Sequence, residues 1–115
     1  MTTYVLSVPP STNQLFVNRK SGGRFKASKY RAWIKGELAA LLAQRARPVT
    51  GRSAVTITIP KGTRGDCDNR IKPAIDLLVR AGILADDSSA HLGAVSMTFG
   101  DVQMMHVSIE PMVTA

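Results

Sequence analysis

Residues 53–82 read "SAVTITIPKGTRGDCDNRIKPAIDLLVRAG" and carry the patterns of a strand, a loop and a helix in direct succession. Apolar residues at every second position predict a half-buried strand over 53–59. A helix is predicted from about residue 69 or later up to Gly82, its C-terminal stop. Pro73 disfavours helical geometry at the residue before it, so this helix either begins late or has a distorted first turn.

The same two periodicities define the remaining elements. A long helix begins at Ser28, a suitable N-cap, and runs to about Ala46 with apolar residues on one face. Trp33 widens that face and is expected in a core or an interface. Further strands are predicted over 3–8, 92–99 and 103–110. The order of elements predicts an α+β fold: a single compact domain over residues 1–115, with a small mixed sheet of about four strands and two helices.

Composition excludes several classes of protein. Of the 115 residues, 44% are hydrophobic and 20% are charged, which is typical of a globular domain and excludes disorder. The single cysteine, Cys67, excludes an internal disulfide framework and a cysteine-rich zinc site. The first residues lack the charged segment of a signal peptide, and no stretch approaches the roughly 18 apolar residues of a transmembrane helix. We therefore expect a cytoplasmic protein with no membrane partner.

Positive charge is concentrated in one part of the chain. The formal net charge is +7, from 15 Lys and Arg against 8 Asp and Glu, and every Lys and Arg falls between residues 19 and 80. This asymmetry predicts a surface that binds a polyanion, of which nucleic acid is the commonest; a merely solvated basic surface is the alternative. The candidate DNA-binding residues are Arg19, Lys20, Arg24, Lys26, Lys29, Lys61 and Arg64.

Acidic residues are concentrated as well. Five of the eight lie between residues 66 and 87, namely Asp66, Asp68, Asp76, Asp86 and Asp87. On extended backbone, Asp66 and Asp68 point the same way about 7 Å apart, which is unfavourable unless a cation lies between them. We expect the return from the second helix to the sheet to bring Asp86 or Asp87 beside them. Three hard oxygen donors would suit Mg²⁺ or Mn²⁺ and not Zn²⁺.

Other interpretations of these acids exist. Asp68 or Asn69 can be a helix N-cap, and Asp86-Asp87 can belong to an ordinary polar turn. A calcium-binding EF-hand loop fails, because its sixth and twelfth positions would be Ile71 and Leu77 where Gly and Glu are needed.

A lysine within the acidic segment adds to the chemistry. If the second helix is regular, Asp68, Lys72 and Asp76 follow i, i+4, i+8 spacing on one face. A metal ion held by carboxylates polarises a phosphodiester and activates the attacking water, while a lysine stabilises the charge that develops on the phosphate. Set in a basic protein, this combination predicts phosphodiester cleavage in nucleic acid.

The segment "DCDNRIKPAID" at 66–76, followed by Gly82 and the pair Asp86-Asp87, resembles the core motif of the RusA family of Holliday junction resolvases. That motif has Asp-x-Asp-Asn-x-x-Lys, an Asp four residues later, a Gly and a paired Asp. The resemblance is close over 66–87 and looser over the first strand, the "PPSTN" segment after it, the basic loop and the long helix.

The resemblance implies a RusA-like fold and a Mg²⁺-dependent endodeoxyribonuclease, with Mn²⁺ as the alternative ion. Such enzymes bind four-way junction DNA as homodimers and resolve it by paired symmetric nicks in recombination and repair. The family is often phage-borne, which implies a bacterial, phage or prophage origin.

Site residues carry over position by position. Asp66, Asp68 and Asp87 match the catalytic, metal-binding carboxylates, and Lys72 matches the catalytic lysine. The supporting residues are Asn69, as a cap, Asp76, as an anchor for Lys72, and Asp86, whose role the motif leaves undecided.

Two features depart from the family pattern. The residues after the Asp pair are "SSAH" rather than a longer polar residue and a strand, and no basic residue follows Arg80. DNA contacts would therefore fall on residues 19–72. Two other functions remain open: a nucleic-acid-binding protein without catalysis, and a metal-dependent nuclease for other branched DNA or for ordinary duplexes.

Overall fold

The computed structural model describes residues 1–10, 16–18, 24–26, 28–63 and 68–112. Within these residues the chain forms six strands and two helices. They are, in order, β1 (Thr2–Leu6), β2 (Phe16–Asn18), β3 (Arg24–Lys26), α1 (Ser28–Ala43), β4 (Ser53–Pro60), α2 (Asp68–Arg80), β5 (Leu92–Gly100) and β6 (Met105–Pro111).

Strand β4 lies inside a four-stranded sheet of order β1-β6-β4-β5. It pairs parallel with β5 and antiparallel with β6, and β1 pairs antiparallel with the far side of β6. Parallel neighbours need a crossover connection, and α2 supplies the one between β4 and β5. The predicted α+β fold, with a mixed four-stranded sheet and two helices, is therefore confirmed.

The core lies between one face of this sheet and the two helices. The alternation predicted for β4 is confirmed, because Val55, Ile57 and Ile59 are at most 1% exposed. Residues from the other elements complete this core, among them Leu6, Tyr30, Ile34, Leu41, Ala74, Ile75, Leu77, Leu78, Met105, Val107 and Ile109. Burying these side chains is the main favourable contribution to folding.

Helix α1 buries the apolar stripe that its spacing predicts, apart from one residue at the margin. Trp33 belongs to the core: its indole Nε1 donates to the carbonyl of Ser7 at 3.1 Å, and its ring stacks on Tyr30. Leu42, in contrast, is 80% exposed. Each residue turns the helix by 100°, so a stripe that includes Trp33 leaves Leu42 beyond its opposite margin.

Helix α2 begins at Asp68 and continues through Pro73, which is buried. The helix therefore does not begin late, although Pro73 has no N–H to donate to the carbonyl of Asn69 one turn earlier. Gly82 follows the end of the helix, and its φ of 76° lies in the left-handed region that glycine adopts without strain.

The segment predicted as a basic loop over 11–26 contains secondary structure. Phe16–Asn18 and Arg24–Lys26 pair as a short antiparallel hairpin, separate from the main sheet. Aromatic and β-branched residues favour strands, and Phe16, Val17 and Phe25 provide them. In the described part of the chain, neither helix is both long and apolar enough to cross a lipid bilayer.

We expect Leu78→Ala to lower the free energy of unfolding by about 2–5 kcal/mol, because Leu78 is fully buried between α2 and the sheet. Leu42→Ala removes the same atoms from an exposed position and should change stability by no more than about 0.5 kcal/mol. Urea unfolding followed by circular dichroism measures both. Equal effects of the two substitutions would contradict this packing.

Candidate functional site

A cavity of about 320 Å³ lies between α2 and the beginning of β5. Three charged side chains border it, two from the helix and one from the loop before β5. The lining residues are Ile71, Lys72, Ile75, Asp76, Asp87, Leu92 and Val95. The cavity therefore combines carboxylates and an ammonium group with apolar walls.

The position of β5 explains why this cavity exists. β5 is an edge strand, and its register pairs Val95 with Val55 of β4. Val55 is 1% exposed and Val95 is 38% exposed, although residues in register share a face of the sheet. The core face of β4 is thus covered while part of β5 is open, and charged groups line the gap.

Lys72 and Asp76 form an ion pair along α2. The Lys72 Nζ lies 3.8 Å from the Asp76 Oδ2, and the i, i+4 spacing holds the two side chains on one face. Asp76 also affects α1: burial raises the pKa of the Tyr30 hydroxyl, the negative charge of Asp76 raises that pKa further, and the charge of Arg80 lowers it. Asp76 therefore acts on both Lys72 and the buried ring of Tyr30.

The adjacent acids Asp86 and Asp87 have different surroundings. The Asp86 Oδ1 accepts hydrogen bonds from the Ser88 N–H at 2.8 Å and from the Ser88 hydroxyl, and its Oδ2 lies 3.9 Å from His91 Nε2. These contacts close a local turn and lower the pKa of Asp86, with the Ser88 hydroxyl as the largest cause. Asp87 lines the cavity instead, so of the pair it is Asp87 that shares the cavity with Lys72.

The route by which Asp87 reaches α2 differs from the expected one. Parallel pairing sets Ser53 beside Leu92 and Pro60 beside Gly100, so the loops that leave β4 and reach β5 lie at opposite ends of the sheet. The ends of these two strands are therefore not what brings Asp87 to α2. The loop before β5 runs beside α2, and Asp87 meets that helix near its middle. Asp68 begins α2 one turn before Lys72, about 6 Å along the axis.

Several predicted site residues lie outside the described residues: Asp66, Arg64, Arg19 and Lys20. Asp68, Asn69, Arg24 and Lys26 are described at the level of the backbone. Convergence of Asp66 and Asp68 with Asp87 thus stays a prediction.

Two predicted DNA-binding residues are described with their side chains, and both are exposed. Lys29 lies in the first turn of α1, and Lys61 follows β4, where its N–H donates to the Gly100 carbonyl at 3.1 Å. At the start of α2, the Arg70 Nε donates to the Pro9 carbonyl at 3.1 Å. The N-terminal segment is thereby attached beside the helix that carries Lys72.

Some residues of the site were not foreseen from sequence. Leu92 and Val95 were predicted as ordinary strand residues, and no local signal distinguishes a cavity wall from a covered strand. Ser88 could have been found, because a serine two residues after an aspartate is the spacing of an Asx-turn.

Metal-binding capacity rests on carboxylate oxygens, which are the ligands that Mg²⁺ takes in proteins. Asp76 and Asp87 supply two carboxylates to one cavity. Among the residues that the structure describes, no three His, Cys, Asp or Glu side chains are grouped closely enough to hold an ion. The donor chemistry fits Mg²⁺, and Asp66 and Asp68 are the candidates for further carboxylate ligands.

Comparison with known proteins does not assign the chain. No protein-family model matches it, and no curated protein is significantly similar to it in sequence.

Titration of Asp86 tests the turn beside the cavity. The Ser88 hydrogen bonds favour the carboxylate form, so we expect a pKa below the ordinary value of 3.8 and a rise toward that value in Ser88→Ala. The associated stability is present at neutral pH and is lost as pH falls through the lowered pKa. Carboxyl NMR measures the titration, and Ser96→Ala, at an exposed serine of β5, is the control. An unchanged Asp86 pKa in Ser88→Ala would contradict the assignment.

Proposed function

We propose that this protein is a Mg²⁺-dependent endodeoxyribonuclease that resolves four-way DNA junctions. One observation carries the proposal: Lys72 and Asp87, from separate segments, border the same cavity in a chain of net charge +7. The motif that contains both residues predicts this pairing, and the spacing of Asp66, Asp68 and Asp76 agrees with it.

Lys72 is the group suited to contact the scissile phosphate. Its side chain is two-thirds exposed, so a phosphate can reach it, while Asp76 restricts its position through the 3.8 Å ion pair. A held cation stabilises the charge that builds on the phosphate in the transition state without reorganising first. Asp76 in this scheme positions Lys72 and does not contact the phosphate.

Asp87, with Asp66 and Asp68, is the proposed holder of the metal ion. When bound, Mg²⁺ supplies a Lewis acid for the phosphate and lowers the pKa of water. Apolar walls formed by Ile71, Ile75 and Val95 border these charged groups.

DNA binding is assigned to the positive residues around this cavity. Lys29, Lys61 and the basic segment 19–26 are the proposed phosphate contacts, and a homodimer would offer two equivalent cavities to two equivalent strands. A two-fold symmetric pair of sites accounts for paired cuts in a junction whose arms are alike. In the cell, such an enzyme would work in the cytoplasm on recombining DNA, of host or phage origin.

Cleavage of a synthetic four-way junction is the direct test. With Mg²⁺ we expect paired symmetric nicks in the junction and none in a linear duplex of the same sequence. Asp87→Asn and Lys72→Ala should each reduce the rate by about 100-fold or more, because each removes a group that acts on the developing charge. Denaturing gels of end-labelled strands give the cut positions and the rates.

The matched control is Asp101→Asn, which removes one exposed acid away from the cavity and should leave the rate unchanged. Binding without any cleavage would support a non-catalytic nucleic-acid-binding protein. Equal cutting of junction and duplex would support a nuclease of different substrate.

The variants that lose an acid should lose cleavage and keep DNA binding. Asp66→Asn, Asp68→Asn and Asp87→Asn each remove a charge that repels phosphate, so junction affinity should stay equal or rise in the absence of Mg²⁺. Gel-shift titration in EDTA measures it. Weaker binding by all three variants would count against carboxylates that face DNA.

A further inference from the structure

A second surface of the protein lies between the two helices. One cavity of about 480 Å³ is bordered by α1 and α2, and a neighbouring cavity of about 280 Å³ shares Leu38 and Arg80 with it. Together they form the α1–α2 groove, whose lining residues are Arg31, Ile34, Lys35, Leu38, Leu41, Leu42, Ala46, Arg80 and Ala81. None of these residues lines the cavity at Lys72 and Asp87.

The groove has an apolar floor and a cationic rim. Ile34, Leu38 and Leu42 follow one another at i, i+4, i+8 along α1, and Leu42 is 80% exposed. Arg31 and Lys35 are one turn apart on the same helix, and Arg80 closes the other side from α2. All three cations are exposed, and none forms an ion pair with another residue of the described chain.

We propose that the α1–α2 groove binds an acidic amphipathic helix of a partner protein. An apolar stripe lying between two packed helices is the form of groove into which such helices dock. From Ile34 to Leu42 the floor spans about 12 Å, which matches two to three turns of a partner helix. The rim selects the charge of that helix, because three exposed cations that form no ion pair within the described residues favour Glu and Asp beside the apolar stripe.

Nucleic acid fits this surface less well. Protein–DNA contacts come from polar and positive groups, and single strands stack on aromatic rings. The groove offers neither an aromatic ring nor a Ser, Thr, Asn or Gln side chain among its lining residues. The exposed side chain of Leu42 would make no favourable contact with a phosphate backbone.

The chain itself does not supply the occupant. The segment 19–26 carries Arg19, Lys20, Arg24 and Lys26, which the cationic rim would repel. In a second copy, α1 and α2 each carry more Lys and Arg than Asp and Glu, so neither helix has the required charge. The partner is therefore a different, acidic protein segment, and this inference does not depend on the proposed nuclease activity.

The test uses a fluorescein-labelled designed peptide of about 14 residues, with Leu at i, i+4 and i+7 and Glu on the flanking positions. The control peptide has the same composition in an order without an apolar stripe. By fluorescence anisotropy on the full chain, we expect the designed peptide to bind at least about ten times more tightly than the control, which corresponds to about 1.4 kcal/mol.

Variants assign the binding to the groove. Lys35→Glu and Leu42→Asp should each weaken binding of the designed peptide by about ten-fold or more. The first removes a charge contact with its Glu residues, and the second removes an apolar contact with its Leu residues. Lys61→Glu alters net charge as Lys35→Glu does but does not line the groove, and should leave peptide affinity nearly unchanged. Both groove positions are exposed, so the variants should fold, which circular dichroism checks.

Two results would overturn the inference. One is equal affinity for the designed and control peptides, which would mean that only charge attracts them. The other is a larger loss of junction binding in Lys35→Glu than in Lys61→Glu, with no loss of peptide binding, which would make the groove a nucleic-acid surface.

Discussion

The parallel pairing of β4 with β5 is the constraint on which the rest of the molecule depends. Parallel neighbours cannot be joined by a tight turn, so the chain must leave the sheet after Pro60 and cross over as α2 before β5 begins. The crossover places Lys72 and Asp76 above the sheet, and the long return to β5 carries Asp87 beside them. Because β5 is the edge strand, α2 leaves it partly uncovered. The cavity thus results from the topology of the sheet, and the acidic residues line it.

Much of this fold could be predicted from local patterns. The alternation of Val55, Ile57 and Ile59 identified the central strand, and the apolar spacing of α2 identified a helix that begins within one residue of the expected place. These patterns succeed because a buried face repeats with the period of its own backbone. Leu42 shows their limit: its spacing fits the apolar stripe of α1, but it lies at the margin of that stripe and is 80% exposed.

Such patterns could not predict which strands pair with one another in the sheet. β5 and β6 follow one another along the chain, yet β4 lies between them in the sheet. Strand periodicity gives the faces of a strand and not its neighbours, so the ends at which loops emerge could not be assigned. The approach of Asp87 to Asp66 and Asp68 therefore stays a prediction, whereas Asp87 and not Asp86 lines the cavity with Lys72. The short turn between Asp86 and Ser88 gives the physical reason for this difference, because it engages the Asp86 carboxylate and does not involve that of Asp87.

Because of Pro73, the first turn of α2 opens more easily than the later turns. The carbonyl of Asn69 has no helical donor, so the first turn, which begins at Asp68, is tied to the remaining helix by fewer hydrogen bonds than any later turn. The later turns are buried through Ala74, Ile75, Leu77 and Leu78 and can open only with the core. Amide hydrogen exchange would accordingly divide this one helix into a fast segment and a slow one. The protein therefore carries Asp68 on the part of α2 that opens at the smallest cost in free energy, and Asp76 on the part that the core holds.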